Sequence, residues 1–145
     1  MINGVIIEDV KTFEDERGNL TELYRTDILF YHVVQMSYIS FTKPQQQRGP
    51  HEHEKQNDFF YFVGPGNFTL TLWDNRKDSP TFGQRDDFIF GEMKPVSVLI
   101  PHGVVHAYKN ISLNKDGMVI NFPDRLFTGW DKLASADEIR HESDP

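Results

Sequence analysis

Four of the six histidines in this chain lie in two short segments that are far apart in the sequence. The first segment contains His51 and His53, and the second contains His102 and His106. Imidazole changes its protonation near neutral pH and is also a common metal ligand. Because His51 and His53 are two residues apart, one strand would place both rings on the same face. If the two segments meet in the fold, the rings could move protons or bind a metal ion.

The segments that must position these histidines have the composition of β-strands. Short runs of β-branched and aromatic residues recur along the chain, separated by turns dense in Gly, Pro, Asn and Asp. This pattern predicts an all-β domain, an antiparallel sandwich or barrel of the jelly-roll kind. The predicted strands are Gly4–Val10, Leu20–Thr26, Val33–Thr42, Asp58–Val63, Asn67–Trp73, Val96–Pro101, Val104–Ser112 and Gly117–Phe122. Ser135–Arg140 predicts a short helical turn, and Arg85–Asp87 indicates a solvated turn.

The bulk composition restricts the class of protein. A chain of 145 residues fits one domain, residues 1–145, and can bury its own core. The absence of cysteine excludes disulfides, thiolate catalysis and cysteine-bound zinc. A net charge of -7 argues against nucleic acid as a partner, although two or three arginines can still hold a diphosphate. With no signal sequence and no run of membrane-spanning length, we expect a cytoplasmic protein without a membrane partner.

Several motifs occur in the order seen in one enzyme family. They are Phe13–Gly18, Gln35–Ser40, Arg48–His51, Asp74–Arg76 with Ser79–Gly83, and Ile100–His106. Through them the stretch Val5–Phe122 resembles the cupin superfamily and, within it, the dTDP-4-dehydrorhamnose 3,5-epimerase family. The resemblance implies a double-stranded β-helix jelly roll that forms a homodimer and uses no metal or other cofactor. It also implies a nucleotide-linked 4-keto-6-deoxyhexose as substrate, which loses a proton beside its ketone and regains one on the opposite face.

The same resemblance implies roles for individual residues. His51 would be the general base, since the pKa of imidazole lies near the working pH. The remaining predicted catalytic residues are His53, Asp74, His106 and Tyr108, of which Asp74 and His106 would orient the base. The predicted substrate-binding residues are Arg17, Glu22, Gln35, Arg48, Lys55 and Arg125. Among these, Arg17 and Arg48 would lie near the diphosphate and Gln35 near the nucleotide.

Two features of the family pattern are missing from this sequence. Members of the family take their proton donor from a tyrosine after the second histidine segment, but the last tyrosine here is Tyr108. Tyr61, Tyr108 or water could replace it, and inversion at C3, at C5 or at both stays open. The family lysine after the first histidine segment is also absent, with Lys55 the nearest candidate. An enolate would need a positive or hydrogen-bonding partner, which Lys55, His53 or Arg48 could supply.

Other functions stay open from the sequence. The segment Arg48–His53 also resembles nucleotide-sugar 3,4-ketoisomerases, in which two histidines shuttle protons on one face of the sugar. The set His51, His53, Asp58 and His106 is similar to the ligands of metal-dependent cupins, which usually carry Glu where this chain has Asp58. A non-catalytic sugar-nucleotide binding protein would also fit the missing residues. We favour the metal-free epimerase because Arg48 beside His51 suits a cavity that holds an anion.

Overall fold

The computed structural model describes residues 1–29 and 31–143, and almost all of its regular elements are strands. The elements are β1 (Ile6–Asp9), β2 (Thr12–Asp15), β3 (Gly18–Thr21), β4 (Tyr38–Thr42), β5 (Gln47–Glu52), β6 (Asp58–Phe62), β7 (Asn67–Asp74), β8 (Arg85–Gly91), β9 (Val96–Ile100), β10 (Val104–Asn110), β11 (Gly117–Asn121), a short 3-10 turn (Trp130–Lys132) and β12 (Ile139–Arg140). No helix within these two ranges is long and apolar enough to cross a membrane.

Two antiparallel five-stranded sheets form the body of the protein. Sheet I has the order β1-β9-β6-β11-β4, and sheet II has the order β12-β5-β10-β7-β8. The hairpin of β2 and β3 forms a small separate sheet. Strands that are distant in sequence are neighbours in both sheets, as the jelly-roll topology requires. The prediction of an all-β jelly roll is confirmed.

The core lies between the two sheets because alternate residues of each strand point inward. On β7 the buried residues Phe68, Leu70 and Leu72 alternate with partly exposed ones. They pack with Phe60 and Phe62 of β6 from the facing sheet. Full burial of one such side chain contributes about 1.5–3 kcal/mol, so this cluster supplies most of the stability of the sandwich.

Strand β6 is buried on both of its faces. Phe60 and Phe62 join the core between the sheets, whereas Phe59 and Tyr61 belong to a second apolar cluster with Leu29. Alternation along one strand therefore sends Tyr61 to the face opposite Asp58 and Phe60. This second cluster buries the outer face of sheet I.

Four local predictions differ from the structure; one of them is Val33–Thr42, of which only Tyr38–Thr42 is a strand, β4. Arg85–Asp87 is part of strand β8, because its backbone pairs with β7 from Trp73 to Thr71. Ser135–Arg140 forms no helical turn; its last two residues form β12, which pairs with β5 at the edge of sheet II. Of Leu20–Thr26, only the beginning is a strand, as the end of β3. In β8 and β12 pairing with another strand overrides the local composition.

Candidate active site

His51 and His106 lie directly opposite each other on β5 and β10. A β-bulge follows, because the next pair along the two strands is Arg48 with Tyr108. Gly49 sits at this bulge with φ 80°, and a side chain there would clash with the carbonyl oxygen of His106. The glycine thus lets the strands approach closely, and the ring centroids of His51 and His106 are 4.4 Å apart.

His53 completes a group of three imidazoles, which we call the histidine cluster (His51, His53 and His106). Its ring centroid lies 5.6 Å from that of His51 and 5.8 Å from that of His106. His53 and His106 are buried, whereas the side chain of His51 is 19% exposed. His51 is therefore the member of the cluster that a bound molecule can reach.

Asp58, a buried residue on β6 in the facing sheet, supports the cluster. Its Oδ2 lies 3.0 Å from Nε2 of His53 and 3.3 Å from Nε2 of His106. Its Oδ1 accepts 2.8 Å hydrogen bonds from the side chains of Gln56 and Asn121. Burial raises the pKa of Asp58, but the neighbouring histidines outweigh burial and hold that pKa well below its usual range. Asp58 therefore supplies a fixed negative charge.

His53 lies between two hydrogen-bond acceptors. Its Nδ1 contacts the main-chain oxygen of Asp137, and its Nε2 faces the carboxylate of Asp58. A ring that is protonated on both nitrogens fits these two acceptors, although Nε2 of Gln56 also lies 3.3 Å from Nε2 of His53. Burial alone would lower the pKa of His53, but the hydrogen bond and charge of Asp58 outweigh it and raise the pKa to about 9. His53 is a cation at neutral pH.

His51 has the opposite protonation. Burial lowers the pKa of His51 to about 3, and the charges of His106 and His53 act in the same direction. The ring is therefore neutral near pH 7, the form that can accept a proton. Its Nδ1 lies 3.6 Å from a carboxylate oxygen of Glu138, which would stabilise the charge that His51 gains on accepting a proton.

A polar cavity of about 330 Å³ opens beside His51, and we call it the histidine cavity. Sheet I contributes Tyr38 and Phe60 to its wall, sheet II contributes Arg48 and Tyr108, and the C-terminal segment contributes Glu138 and Arg140. The C-terminal segment is held over the cavity by the pairing of Arg140 with His51. Residues from both sheets can thus act on one bound molecule.

Three of the predicted site residues, Arg48, His51 and Tyr108, line the histidine cavity. The guanidinium of Arg48 donates to Oγ1 of Thr42 at 3.1 Å and to the main-chain oxygen of Phe41 at 2.9 Å. These bonds hold Arg48 across the gap between β5 and β4. Its positive charge therefore stays at the cavity wall.

Three other predicted residues, Gln35, Lys55 and Arg125, line a larger neighbouring cavity of about 840 Å³. The guanidinium of Arg125 donates to the main-chain oxygen of Lys55 at 2.9 Å. Glu138 borders both cavities, so the two spaces meet at the C-terminal segment. Trp130 also lines the larger cavity and is 77% exposed. This cavity is large enough to take a nucleotide.

The remaining predicted residues have contacts elsewhere. Arg17 pairs with Asp15 on the β2–β3 hairpin. Glu22 pairs with Arg25 at 3.3 Å.

Asp74, which we predicted to orient the base, belongs to a separate polar network. It accepts hydrogen bonds from Arg76, Ser79 and Thr81, which lower its pKa although burial acts to raise it. Those bonds fix the turn after β7, so we leave Asp74 out of the catalytic group. The motif that suggested a site residue at Asp74 is explained by this turn.

Several residues of the site were not predicted from the sequence. Asn121 and Gln56 carry no motif that marks them as partners of Asp58. Glu138 and Arg140 lie in a polar tail segment in which we predicted a helical turn. Tyr38 lies inside the motif Gln35–Ser40, but nothing in that motif shows that its hydroxyl faces the histidines. Only the pairing of distant strands reveals these neighbours.

The histidine cluster also has the geometry of a metal site. Each of its three rings offers a ligand nitrogen, and these atoms lie within 4.8 Å of one another. Nδ1 of His53 contacts the main-chain oxygen of Asp137, and Nδ1 of His106 contacts that of Val104. Metal-bound histidines commonly use their second ring nitrogen in this way. Nε2 of His106 is buried and makes no hydrogen bond among the described residues; its near neighbour is Oδ2 of Asp58 at 3.3 Å. The three rings and Asp58 could therefore hold a metal ion, which would polarise a substrate oxygen.

Comparison with known proteins agrees with the fold. The profile of the dTDP-4-dehydrorhamnose 3,5-epimerase family matches residues 1–122. A probable low-salt glycan biosynthesis epimerase, Agl13 of Haloferax volcanii, is 37% identical over 129 residues, which cover 87% of this chain and 81% of that protein. The spore coat polysaccharide biosynthesis protein SpsL of Bacillus subtilis is 39% identical over 110 residues, covering 75% of this chain and 72% of that protein.

A solved structure extends the comparison to three dimensions. The dTDP-4-dehydrorhamnose 3,5-epimerase from Sulfolobus tokodaii has a similar fold, with a TM-score of 0.73 and 28% sequence identity. The match covers 83% of this chain and 70% of that chain. The family profile, these relatives and the shared fold show that the chain belongs to the dTDP-4-dehydrorhamnose 3,5-epimerase family, a family of isomerase-class enzymes.

Proposed function

We propose that this protein, as a single cupin domain, epimerises a nucleotide-linked 4-keto-6-deoxyhexose at C3, at C5 or at both through an enolate. The observation that carries the proposal is the neutral imidazole of His51 in the histidine cavity. A hydrogen on a carbon next to a ketone is acidified by the carbonyl, and a positioned neutral base can remove it. Family membership supplies the substrate class, a dTDP-linked sugar.

The charges around the cavity suit this chemistry. As His51 takes a proton, Glu138 is placed to stabilise the resulting imidazolium. Negative charge that develops on the ketone oxygen needs a positive partner in a cavity that is sheltered from water. Arg48 supplies such a charge at the wall, and Arg140 borders the same space. We propose that Arg48 and Arg140 stabilise the negative charge of the enolate oxygen and of the phosphate of the substrate.

The two cavities match the two parts of the substrate. The histidine cavity of about 330 Å³ suits a hexose, and the neighbouring cavity of about 840 Å³ suits a nucleotide. We therefore propose that the sugar lies beside His51 and that the nucleotide lies beside Gln35, Lys55 and Arg125. Glu138, which borders both spaces, would lie near the linkage between them.

The protonation of the histidines favours the epimerase over the 3,4-ketoisomerase. A shuttle on one face needs two histidines that both reach the sugar. His53 is buried, and its ring nitrogens contact Asp58 and the main chain of Asp137 instead. It is held as a cation and is absent from the wall of the histidine cavity. One reachable base therefore remains on this face, His51.

We also propose that the protein acts as a homodimer in the cytoplasm. Strand β4 lies at the edge of sheet I, and its outward side chains Ile39 and Phe41 are 60% and 57% exposed. Val33 nearby is 64% exposed. Exposed apolar side chains on an edge strand are typical of a surface that pairs with another chain. We propose the cytoplasm because we expect the sugar-nucleotide substrate to be found there.

The test is incubation of the purified protein with a dTDP-4-keto-6-deoxyglucose-type substrate in deuterated water. We expect deuterium at C3, at C5 or at both, together with inverted product, by mass spectrometry and NMR. Deuterium that accompanies movement of the ketone to C3 would instead identify a 3,4-ketoisomerase. Binding without any deuterium would identify a sugar-nucleotide binding protein and contradict the proposal.

The metal-dependent alternative is tested in the same samples. The convergence of three histidine nitrogens and the buried Nε2 of His106, which makes no hydrogen bond to a described residue, favour this second candidate. Elemental analysis would find stoichiometric iron, manganese or zinc in a metal-dependent cupin, and a strong chelator would stop its reaction. For the metal-free epimerase we expect exchange at an unchanged rate after chelation, because the base is an imidazole of the protein.

A further inference from the structure

Tyr38 faces the histidine cavity from the wall opposite His51. We propose that Tyr38 is the proton donor that completes inversion, in the place of the tyrosine that the C-terminal part of this sequence lacks. The inference rests on the proposed epimerase function and adds a catalytic residue to it. Inversion needs a base on one face of the sugar and a donor on the other, so the positions of the two groups on opposite sheets are decisive.

The strands place Tyr38 and His51 on opposite walls. Tyr38 belongs to β4 in sheet I, whereas His51 belongs to β5 in sheet II, and both line the same cavity. On β4, Ser40 and Thr42 point inward, where they contact Tyr108 and Arg48. Because side chains alternate along a strand, Tyr38 shares this inward face. A sugar in the cavity would lie between the two walls.

The hydrogen bonds around Asn121 leave the proton of Tyr38 free for the cavity. The side-chain oxygen of Asn121 accepts the main-chain N–H of Phe59 at 3.0 Å, which fixes the orientation of its amide. Its NH₂ group then donates to the hydroxyl oxygen of Tyr38 at 3.0 Å and to Asp58 at 2.8 Å. The phenol oxygen of Tyr38 is thus an acceptor in this network. Its own O–H remains available to a bound substrate.

The protonation of Tyr38 agrees with this role. Partial burial of Tyr38, which is still 40% exposed, raises its pKa above the usual value, and the charge of Asp58 acts in the same direction. The phenol therefore keeps its proton across the neutral range. A general acid must hold its proton until the carbanion needs it.

The other tyrosines considered as donors are less suitably placed. Tyr61 donates to the main-chain oxygen of Leu23 at 2.7 Å, in the apolar cluster on the far side of sheet I. Tyr108 lines the cavity, but it lies on β10, in the same sheet as His51. Its hydroxyl is also paired with Oγ of Ser40 at 3.0 Å. Tyr61 therefore points away from the cavity, and the hydroxyl of Tyr108 is engaged by Ser40 rather than free for a substrate.

The proposed step balances in atoms and charge. His51 removes the proton from the carbon beside the ketone, and the electron pair of that C–H bond forms the enolate. The enolate carbon then takes the hydroxyl proton of Tyr38 on its opposite face, so that a C–H bond forms, the O–H bond breaks and the ketone returns. The tyrosinate regains a proton from water, and the imidazolium of His51 releases one to water. No oxidant or reductant is needed.

The experiment compares Tyr38→Phe with Tyr31→Phe, the same change at an exposed tyrosine that lines neither cavity, in deuterated water. For Tyr38→Phe we expect inverted product to form at least about 100-fold more slowly, a typical loss for a general acid. Deuterium should still enter the substrate with its original configuration, because His51 removes the proton and returns a solvent deuteron on the same face. For Tyr31→Phe we expect inversion within a few-fold of wild type. Thermal unfolding of both variants checks their folding.

The outcomes separate the donor from a structural role and from the epimerase itself. Normal inversion by Tyr38→Phe, or an equal loss of inversion in Tyr31→Phe, would overturn the assignment of Tyr38. Loss of both exchange and inversion in folded Tyr38→Phe would also overturn it, because a donor is not needed for proton removal. If the wild type itself exchanges no deuterium, the proposed epimerase function fails, and this inference fails with it. Inversion that depends on His51 but not on Tyr38 refutes the inference alone.

Discussion

Replacement of His51 by alanine should slow deuterium exchange into the substrate by about 10²- to 10⁴-fold, the usual contribution of a positioned base. Among the three clustered imidazoles His51 alone borders the histidine cavity, and the lowered pKa keeps its ring neutral. His53 cannot replace it, because His53 is a buried cation. His106 is buried as well. The measurement is the initial rate of deuterium incorporation by mass spectrometry at saturating substrate.

A second histidine provides the matched control. His102 lies in an exposed turn, where its ring contacts the side chain of Asn57 at 3.1 Å. His102→Ala changes the same side chain in the same way but leaves the cavity intact, so we expect wild-type exchange. A His51→Ala protein that binds substrate and exchanges deuterium at the wild-type rate would disprove the assignment of the base. Loss of exchange in both variants would point to damage to the fold instead.

The strands whose side chains alternate or are buried throughout could be predicted from the sequence. Residues 67–73 and 117–121 are strands in the structure as predicted, because their apolar residues fit a buried sheet. The strand β8 was missed because Arg85, Asp86 and Asp87 are charged. These side chains are tolerated because β8 is an edge strand, so its outer residues meet solvent. Local composition cannot show which strand will lie at an edge.

The candidate site could be predicted only in part, for a similar reason. The spacing of the histidines was enough to select His51, His53 and His106, which the structure brings together. It was not enough to show that His53 and His51 have opposite charges, because the charges depend on Asp58 from the facing sheet and on Asp137 from the tail. Register between distant strands decides these contacts, and register is not visible in one sequence.

Replacement of Asp58 by asparagine should lower the free energy of unfolding by about 3–5 kcal/mol, the usual cost of removing one partner from a buried ion pair. The asparagine has nearly the same shape, but it leaves the buried cation His53 without its counter-ion. The oxygen of the asparagine can still accept from Gln56 and Asn121, but its NH₂ group then takes the place of Oδ2 beside Nε2 of His53, which is itself a donor. Chemical denaturation at pH 7 would measure the loss. As a control, Asp87→Asn removes an exposed charge beside Arg85 and should cost less than about 1 kcal/mol.

The pH dependence of stability tests whether Asp58 keeps His53 protonated in the folded protein. The pKa of His53 is raised from 6.5 to about 9 by folding, so the folded protein binds this proton more tightly than the unfolded chain. Its contribution to stability, roughly 3 kcal/mol, is complete below pH 6.5 and is lost as the pH rises towards 9. Below pH 6.5 the lowered pKa of His51 acts in the other direction, because the unfolded chain then binds the extra proton. Wild-type protein should therefore lose stability between pH 6.5 and 9, whereas Asp58→Asn should show a nearly flat profile there. An equally steep loss in the variant would mean that the proton does not reside on the pair of His53 and Asp58.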